Sequence, residues 1–227
     1  MSTDEKSRAE AVGANFDREM FLHVRERTRK AINDIAAGIR PGMPEEEAVT
    51  MAKQRLRAAE MLRGWQGLHV PFGPNTLKNF GQPSEPGVVL RDNDIFFIDI
   101  GPVWQKWEGD GGDTFVVGND PEMLKAQRDV RELFRRVRAV WLAEGLSGTA
   151  LYDFAAAEAR VMGWELNLDM SGHRLADFPH AVLHKGALAQ AAFTPSPGLW
   201  VLEIQIRHPD RPFSAFYEDL LLADDAA

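Results

Sequence analysis

The sequence predicts an α+β fold, with a curved antiparallel sheet flanked by two helix pairs. Two kinds of pattern support this class: segments whose apolar residues recur at helical spacing, and short apolar segments separated by turn signals. Both occur in the same order in each half of the chain, where Gly42-Met43-Pro44 corresponds to Gly145-Leu146-Ser147. Because such internal similarity indicates a duplicated unit, we expect a pseudo-twofold axis to relate the two halves.

The N-terminal segment, residues 1–16, differs in composition from the rest of the chain. It is rich in charged residues, alanine and glycine, which predicts a flexible tail. The later sequence contains no stretch with the composition of a linker, and 227 residues suit one substantial hydrophobic core. Residues 17–227 are therefore expected to form a single domain.

Each half is predicted to begin with a long helix followed by a shorter one. In the first half the long helix covers residues 17–39, where apolar residues recur at helical spacing, and Gly42 is expected to end it. The shorter helix covers residues 44–61, because a proline and then three glutamates favour a helix N-terminus. The second pair is expected at about 121–143 and 148–162.

A β-hairpin is predicted after each helix pair. The first has arms at 95–101 and 114–118, and the second has arms at 199–206 and 213–222. These arms are rich in β-branched and aromatic residues, which favour strands. Residues 208–212, with the sequence His-Pro-Asp-Arg-Pro, join the second pair of arms and are a strong turn signal.

The composition excludes several classes of function. A net charge of -8 disfavours nucleic-acid binding, which needs a basic surface. No apolar run approaches the roughly 20 residues that cross a bilayer. The polar N-terminus lacks the apolar stretch of a signal peptide, so a cytoplasmic protein without membrane contact is expected. The absence of cysteine excludes disulfides, cysteine-ligated zinc and thiol nucleophiles.

Acidic residues inside apolar strands are the strongest functional signal in the sequence. Asp99 follows Ile-Phe-Phe-Ile, Glu203 follows Trp-Val-Leu, and Glu218 lies between aromatic and leucine residues. A single such residue usually faces solvent, but three on corresponding hairpins predict a cluster on one face of the sheet. Because clustered carboxylates repel one another, the pattern predicts divalent cations among them.

Two further residue types extend this predicted cluster. Asp110 lies in a glycine-rich segment that lets the chain double back toward Asp99, although taken alone the segment is typical of an acidic loop. His173 and His180 are seven residues apart, beside the strand that carries Glu203. A lone histidine is more often a surface or packed residue, whereas a local pair beside carboxylate-bearing strands favours a metal site.

Taken together, these residues resemble the pita-bread metallopeptidases: methionine aminopeptidase, Xaa-Pro dipeptidase and aminopeptidase, and the related creatinase. The resemblance extends over roughly residues 17–222. It implies five metal ligands, and the position of Thr114 in the motif places the second aspartate at Asp110 rather than at Asp113. The implied ligands are Asp99, Asp110, His173, Glu203 and Glu218.

The resemblance also implies cofactors and chemistry. Two divalent ions are expected, with manganese, iron, cobalt and zinc as alternatives. Asp99 and Glu218 would bridge them, while Glu203 would also handle the proton of the attacking water, and His180 would donate a hydrogen bond to the substrate. The implied substrate is a small peptide or amide, cleaved at an N-terminal or Xaa-Pro-type bond, and a homodimer is compatible with the resemblance.

Departures from the family pattern affect the expected substrate contacts. Phe80 occupies the position of a substrate-contacting histidine, Asp113 that of an arginine, Ala181 that of a glutamate, and Phe216 that of another arginine. Three alternatives therefore stand beside the peptidase: a creatinase-like hydrolase of a non-peptide amide, a catalytically silent peptide-binding module, and a protein whose acidic strand residues face solvent.

Overall fold

The elements of the fold come from a computed structural model that describes residues 3–61, 68–79, 81–175, 184 and 186–223. The helices in chain order are α1 (Thr3–Ala9), α2 (Arg18–Ala36), α3 (Glu45–Ala58), α4 (Pro121–Glu144) and α5 (Gly148–Val161). The strands are β1 (Leu68–His69), β2 (Asp94–Ile100), β3 (Val103–Trp104), β4 (Trp107–Glu108), β5 (Gly111–Val117), β6 (Glu165–Leu166), β7 (His173–Arg174), β8 (Trp200–Arg207) and β9 (Ser214–Leu220).

The two long helices begin at aspartate caps. The side chain of Asp17 accepts hydrogen bonds from the second and third N–H groups after it, and Asp120 does the same for α4. The C-terminal end of α2 differs from the prediction, because the helix ends at Ala36 and Gly42 is not its cap. Gly42 instead lies in a later turn, where its N–H donates to the carbonyl of Leu90 at 2.8 Å.

One antiparallel sheet joins both hairpins. Its strand order is β1-β2-β5-β9-β8-β6, and β7 pairs with β8 beside this path. The predicted hairpins are confirmed as β2–β5 and β8–β9, and they meet through the β5–β9 pair at the centre of the sheet. The order of helix pair followed by hairpin occurs twice, as expected; the superposition of the halves by a pseudo-twofold axis stays a prediction.

Each helix pair packs mainly on its own hairpin. One buried cluster includes Trp141 of α4 with Leu202 and Ile204 of β8, and a second includes Ile32 of α2 with Ile98 of β2. These helices cover one face of the sheet and leave the other face for the polar residues described below. Within the described ranges, every helix is too short or too polar to cross a membrane.

The N-terminal segment, predicted to be a flexible tail, contains α1 and packs against the second half of the chain. Ala9 is buried in the larger core cluster, and carbonyl groups of residues 9–11 accept hydrogen bonds from Arg174. The physical reason for the difference is long-range: the partners of this segment lie more than 160 positions further along the chain. The boundary of a single domain at residue 17 stays a prediction.

Candidate metal centre

A row of directly opposed residues crosses the sheet from β1 to β8. His69 pairs with Asp99, Asp99 with Gly112, Gly112 with Glu218, and Glu218 with Glu203. Opposed residues in antiparallel strands project to the same face. The three acidic residues that the sequence singles out therefore share one face of the sheet, here called the metal face.

The glycine at the centre of this row makes room for an aromatic ring. A Cβ atom on Gly112 would lie 2.4 Å from a ring carbon of Phe216, which lies two residues before Glu218 and faces the same way. The rings of Phe216 and Phe97 are 5.1 Å apart, and Met170 completes this buried cluster. The surface of the sheet next to the row is therefore apolar.

Asp110 and His173 lie beside the row and contact each other. The Oδ2 atom of Asp110 is 3.0 Å from Nε2 of His173. One ligand atom each from Asp110, His173 and Glu218 can be chosen so that all three lie within 4.8 Å of one another. Asp113 projects to the other face, where its Oδ1 accepts a hydrogen bond from Nε of Arg131 at 2.8 Å. The structure thus brings Asp110 into the cluster and leaves Asp113 outside it.

Glu203 is held by hydrogen bonds from residues that are not themselves predicted ligands. Its Oε2 atom accepts a hydrogen bond from the Gly172 N–H at 2.7 Å, and its Oε1 atom lies 3.9 Å from Nε2 of His173. Gly172 has φ +70°, and a Cβ atom there would lie 2.4 Å from the Val201 carbonyl, so a glycine is needed. The hydroxyl of Tyr152 donates to the Glu203 carbonyl at 2.8 Å.

The charges of the cluster shift the ionisation of its members. Burial raises the pKa of Asp99 well above its ordinary value, and the charges of Asp110 and Glu203 raise it further. Burial and the charges of Asp110 and Asp99 likewise raise the pKa of Glu218. Burial alone would lower the pKa of His173, but the hydrogen bond to Asp110 and the nearby carboxylate charges outweigh it and raise the pKa to about 10.

The donor set fits divalent metal ions. Both carboxylate oxygens of Glu218 are buried and accept no hydrogen bond from any residue that the structure describes. A buried carboxylate without partners is costly, and a cation among these oxygens removes that cost. Four carboxylates and one imidazole are ligands that suit manganese, iron, cobalt or zinc. The described geometry therefore supports a metal centre at this row.

Comparison with known proteins agrees with this geometry. The model of metallopeptidase family M24 matches residues 19–224. The chain belongs to metallopeptidase family M24. No curated protein sequence gives a significant match.

Solved structures similar to this M24 chain have the pita-bread fold. An X-Pro aminopeptidase from Thermotoga maritima MSB8 has a TM-score of 0.74 at 16% identity, and the match covers 100% of this chain and 66% of that one. A prolidase from Pyrococcus furiosus gives 0.72 at 16% identity, with 96% and 63% covered. A dipeptidase from Pyrococcus horikoshii OT3 gives 0.71 at 19% identity, with 92% and 57% covered. The M24 chain thus spans less than two thirds of each.

Some predicted site residues of the M24 chain are not among the described residues, and some described site residues were not predicted from the sequence. His180, together with Phe80 and Ala181, is outside the described residues. Tyr152 and Gly172 contact Glu203 but were not predicted. Tyr152 occupies one of the regularly spaced apolar positions of α5, a pattern that indicates a packed side chain. Gly172 is a glycine with positive φ, as many ordinary turns contain.

Proposed function

We propose that the chain is a dinuclear-metal-dependent hydrolase that cleaves N-terminal or Xaa-Pro-type peptide bonds. The observation that carries the proposal is the row formed by Asp99, Glu218 and Glu203 across the sheet, with Asp110 and His173 in contact beside it. The similar structures of an X-Pro aminopeptidase and a prolidase support the same substrate class.

The proposed ligands divide between two ions. Glu218 lies between Gly112 and Glu203 in the row and would be shared by both ions. Asp110 and His173, whose ligand atoms lie within 4.8 Å of one on Glu218, would hold one ion with it, and Asp99 and Glu203 would complete the donor set. When bound, such a pair of ions lowers the pKa of a shared water and stabilises charge on the substrate carbonyl oxygen. Among manganese, iron, cobalt and zinc, the donor types favour none.

Two residues are proposed to take part in proton transfer and substrate binding. Glu203 is oriented through Oε2 by the Gly172 N–H, and its Oε1 atom is turned toward His173, where it can take a proton from the attacking water. His180 is proposed to donate a hydrogen bond to the oxygen that becomes negative during the reaction. Both roles are compatible with the five proposed metal ligands, of which Glu203 is one.

A second candidate is a creatinase-like hydrolase of a non-peptide amide. The observation in its favour is the apolar surface that Phe97 and Phe216 form beside the row. Burial lowers the pKa of His69 to about 4, so its imidazole is neutral at pH 7 and adds no positive charge there. Phe97 and Phe216 are themselves buried, so this part of the face offers no charged group that would bind a peptide terminus.

Metal content and a substrate panel test the proposal together. We expect the purified protein to hold two divalent ions and to cleave Xaa-Pro or other short peptides better than non-peptide amides. Asp110→Asn should lose at least one ion and the activity, whereas the matched variant Asp113→Asn should keep both ions, because its carboxylate faces the helices. Equal metal loss in both variants would contradict the assignment, and cleavage of the amides alone would favour the second candidate.

The role of His180 is tested by separating binding from turnover. His180→Ala should keep both ions and lower turnover by about a hundredfold, the scale for losing one hydrogen-bond donor to a developing oxyanion. The control, His173→Ala, should lose metal and activity together. If His180→Ala lowers thermal stability but leaves turnover intact, His180 is a packing residue; if it loses metal, the two histidines have exchanged roles.

A further inference from the structure

A buried arginine attaches the N-terminal segment to the strand that carries His173. Arg174 is 1% exposed and follows His173 in β7. A guanidinium presents five N–H donors in a rigid fork, so several carbonyl partners fix its position. Its described partners are three carbonyls of the segment and two near the sheet: Ala9 (3.0 Å), Glu10 (3.3 Å), Ala11 (3.1 Å), Leu175 (2.9 Å) and Leu199 (3.0 Å).

An acidic side chain anchors the same segment a second time. The carboxylate of Glu10 accepts hydrogen bonds from the backbone N–H and hydroxyl of Ser196, at 2.7 and 2.6 Å, and from Nε1 of Trp200 at 2.9 Å. Ala9 is buried in the main core cluster next to these contacts. The segment is thus held by polar and apolar contacts to β7 and to residues before and at the start of β8.

The imidazole of His173 contacts the backbone of Arg174, its neighbour in β7. Consecutive residues of a strand point to opposite faces, so the guanidinium holds one side of β7 while His173 faces the carboxylate row. The backbone carbonyl of Arg174 lies 3.2 Å from Nδ1 of His173. With the proton on Nδ1, this carbonyl accepts it and leaves Nε2 directed at the metal ligands, an arrangement common among metal-binding histidines.

We propose that residues 3–11 form an N-terminal clasp that positions His173 for metal binding, with Arg174 as the positioning residue. The strand β7 has two residues and pairs with β8 alone among the described strands, so its ladder gives His173 little support. The carbonyls of the clasp supply that support through Arg174. The inference rests on the proposed metal site but not on the proposed substrate.

Arginine-to-lysine variants of the full chain test the clasp. Arg174→Lys keeps the positive charge but cannot reproduce five bonds from a planar fork. The matched control is Arg138→Lys, because Arg138 of α4 also donates to terminal carbonyls, those of Leu222 at 2.8 Å and Ala223 at 3.2 Å, which lie outside residues 3–11. We expect Arg174→Lys to weaken Mn²⁺ binding by about tenfold or more, the range for losing a group that orients a ligand, and the control to leave it unchanged.

A second measurement needs neither metal nor substrate. Histidine imidazole resonances of the metal-free protein at fixed pH should shift for His173 in Arg174→Lys and stay unchanged in Arg138→Lys. If Arg174→Lys lowers the melting temperature while leaving the His173 resonances and Mn²⁺ affinity unchanged, the clasp is purely structural and the proposal is wrong. If wild-type protein binds none of Mn²⁺, Fe²⁺, Co²⁺ and Zn²⁺, the proposed function fails, and the resonances still decide the clasp.

A milder variant keeps the proposal testable if Arg174→Lys does not fold. Glu10→Gln retains Arg174 but removes the charge that anchors the segment to Ser196 and Trp200. We expect the His173 resonances to move in the same direction by a smaller amount, with a smaller loss of Mn²⁺ affinity. A stable Glu10→Gln protein with neither change would overturn the proposal.

Discussion

The two faces of β9 carry neighbouring acidic side chains in opposite electrostatic surroundings. Glu218 and Asp219 are both buried, with 1% and 3% of their surfaces exposed. The carboxylate of Glu218 accepts no hydrogen bond from the part of the chain that the structure describes. Asp219 receives two from one guanidinium, since Nε and Nη2 of Arg25 lie 2.6 and 2.7 Å from its oxygens. Two consecutive residues of β9 therefore differ: Asp219 has an arginine as counter-charge, and Glu218 has none among the described residues.

The same contrast holds on the neighbouring strand β5. On the face toward the helices, Asp113 accepts a hydrogen bond from Arg131 of α4, and Arg29 of α2 lies 3.5 Å from Asp113 and 4.0 Å from Asp219. Because buried carboxylates need opposite charge, the helices supply arginines on this face. On the metal face no helix supplies a cation among the described residues, and bound metal would take that place. The acidic residues of the sheet thus fall into two groups: those neutralised by arginines of the helices, and those that would be neutralised by bound metal.

Replacing Glu218 should give the largest effect. Glu218→Gln removes a proposed bridging ligand, so we expect metal loss and a fall in turnover of more than about a hundredfold. The metal-free protein should not lose thermal stability, because a neutral amide replaces a buried carboxylate without partners. Metal content and melting in the presence of a chelator measure both. Strong destabilisation of the metal-free variant would show that Glu218 has a protein partner and would break the contrast.

Replacing Asp219 should give the reverse pattern. Asp219→Asn leaves Arg25 without its carboxylate, and breaking a buried pair in this way costs about 3 kcal/mol of unfolding free energy. Metal content should stay unchanged, since Asp219 faces the helices. Urea unfolding of the metal-free protein, compared with Glu218→Gln, gives the stability difference. Metal loss with unchanged stability would mean that the two faces have exchanged their roles.

The sequence could predict the acidic members of the site because they interrupt apolar strands. Asp99, Glu203 and Glu218 each stand out against their neighbours, and the hairpin pattern brings them to one sheet. The helix pairs and hairpins were also predictable, since helical spacing and turn residues are local signals. The pairing register that aligns Asp99, Gly112 and Glu218 is a non-local property, and the sequence indicates it solely through the family resemblance.

The contacts that support the site could not be predicted, because they join distant parts of the chain. Arg174 bonds to carbonyls of residues 9–11, and nothing in the composition of that segment identifies a partner. Tyr152 has the spacing of a core residue in α5, yet its hydroxyl bonds to the backbone of Glu203. Composition alone does not separate Asp110 from Asp113 in their glycine-rich segment; the family resemblance separates them, and the pleat places them in different surroundings.

The smallest expected effect on stability comes from a surface ion pair, Arg211 and Asp120. Arg211 bonds to both carboxylate oxygens of Asp120, the cap of α4, at 3.0 and 2.8 Å, and so lowers the pKa of Asp120 to about 2. A carboxylate whose pKa is lower in the folded than in the unfolded protein stabilises the fold above the unfolded value, about 3.9. This contribution is lost as the pH falls from about 4 toward 2.

We therefore expect Arg211→Gln to lower the unfolding free energy at pH 7 by less than about 1 kcal/mol, as is usual for exposed pairs. The difference from wild type should shrink as the pH falls below about 4, when Asp120 in the unfolded chain takes up a proton. Urea unfolding of both proteins across this pH range measures the difference in unfolding free energy. The control is Arg136→Gln, which removes another surface arginine that pairs with acidic residues but not with a helix cap. If the loss matched the roughly 3 kcal/mol expected for Asp219→Asn, pairing geometry would matter more than exposure, and the cost of Asp219→Asn could no longer be assigned to the burial of its ion pair.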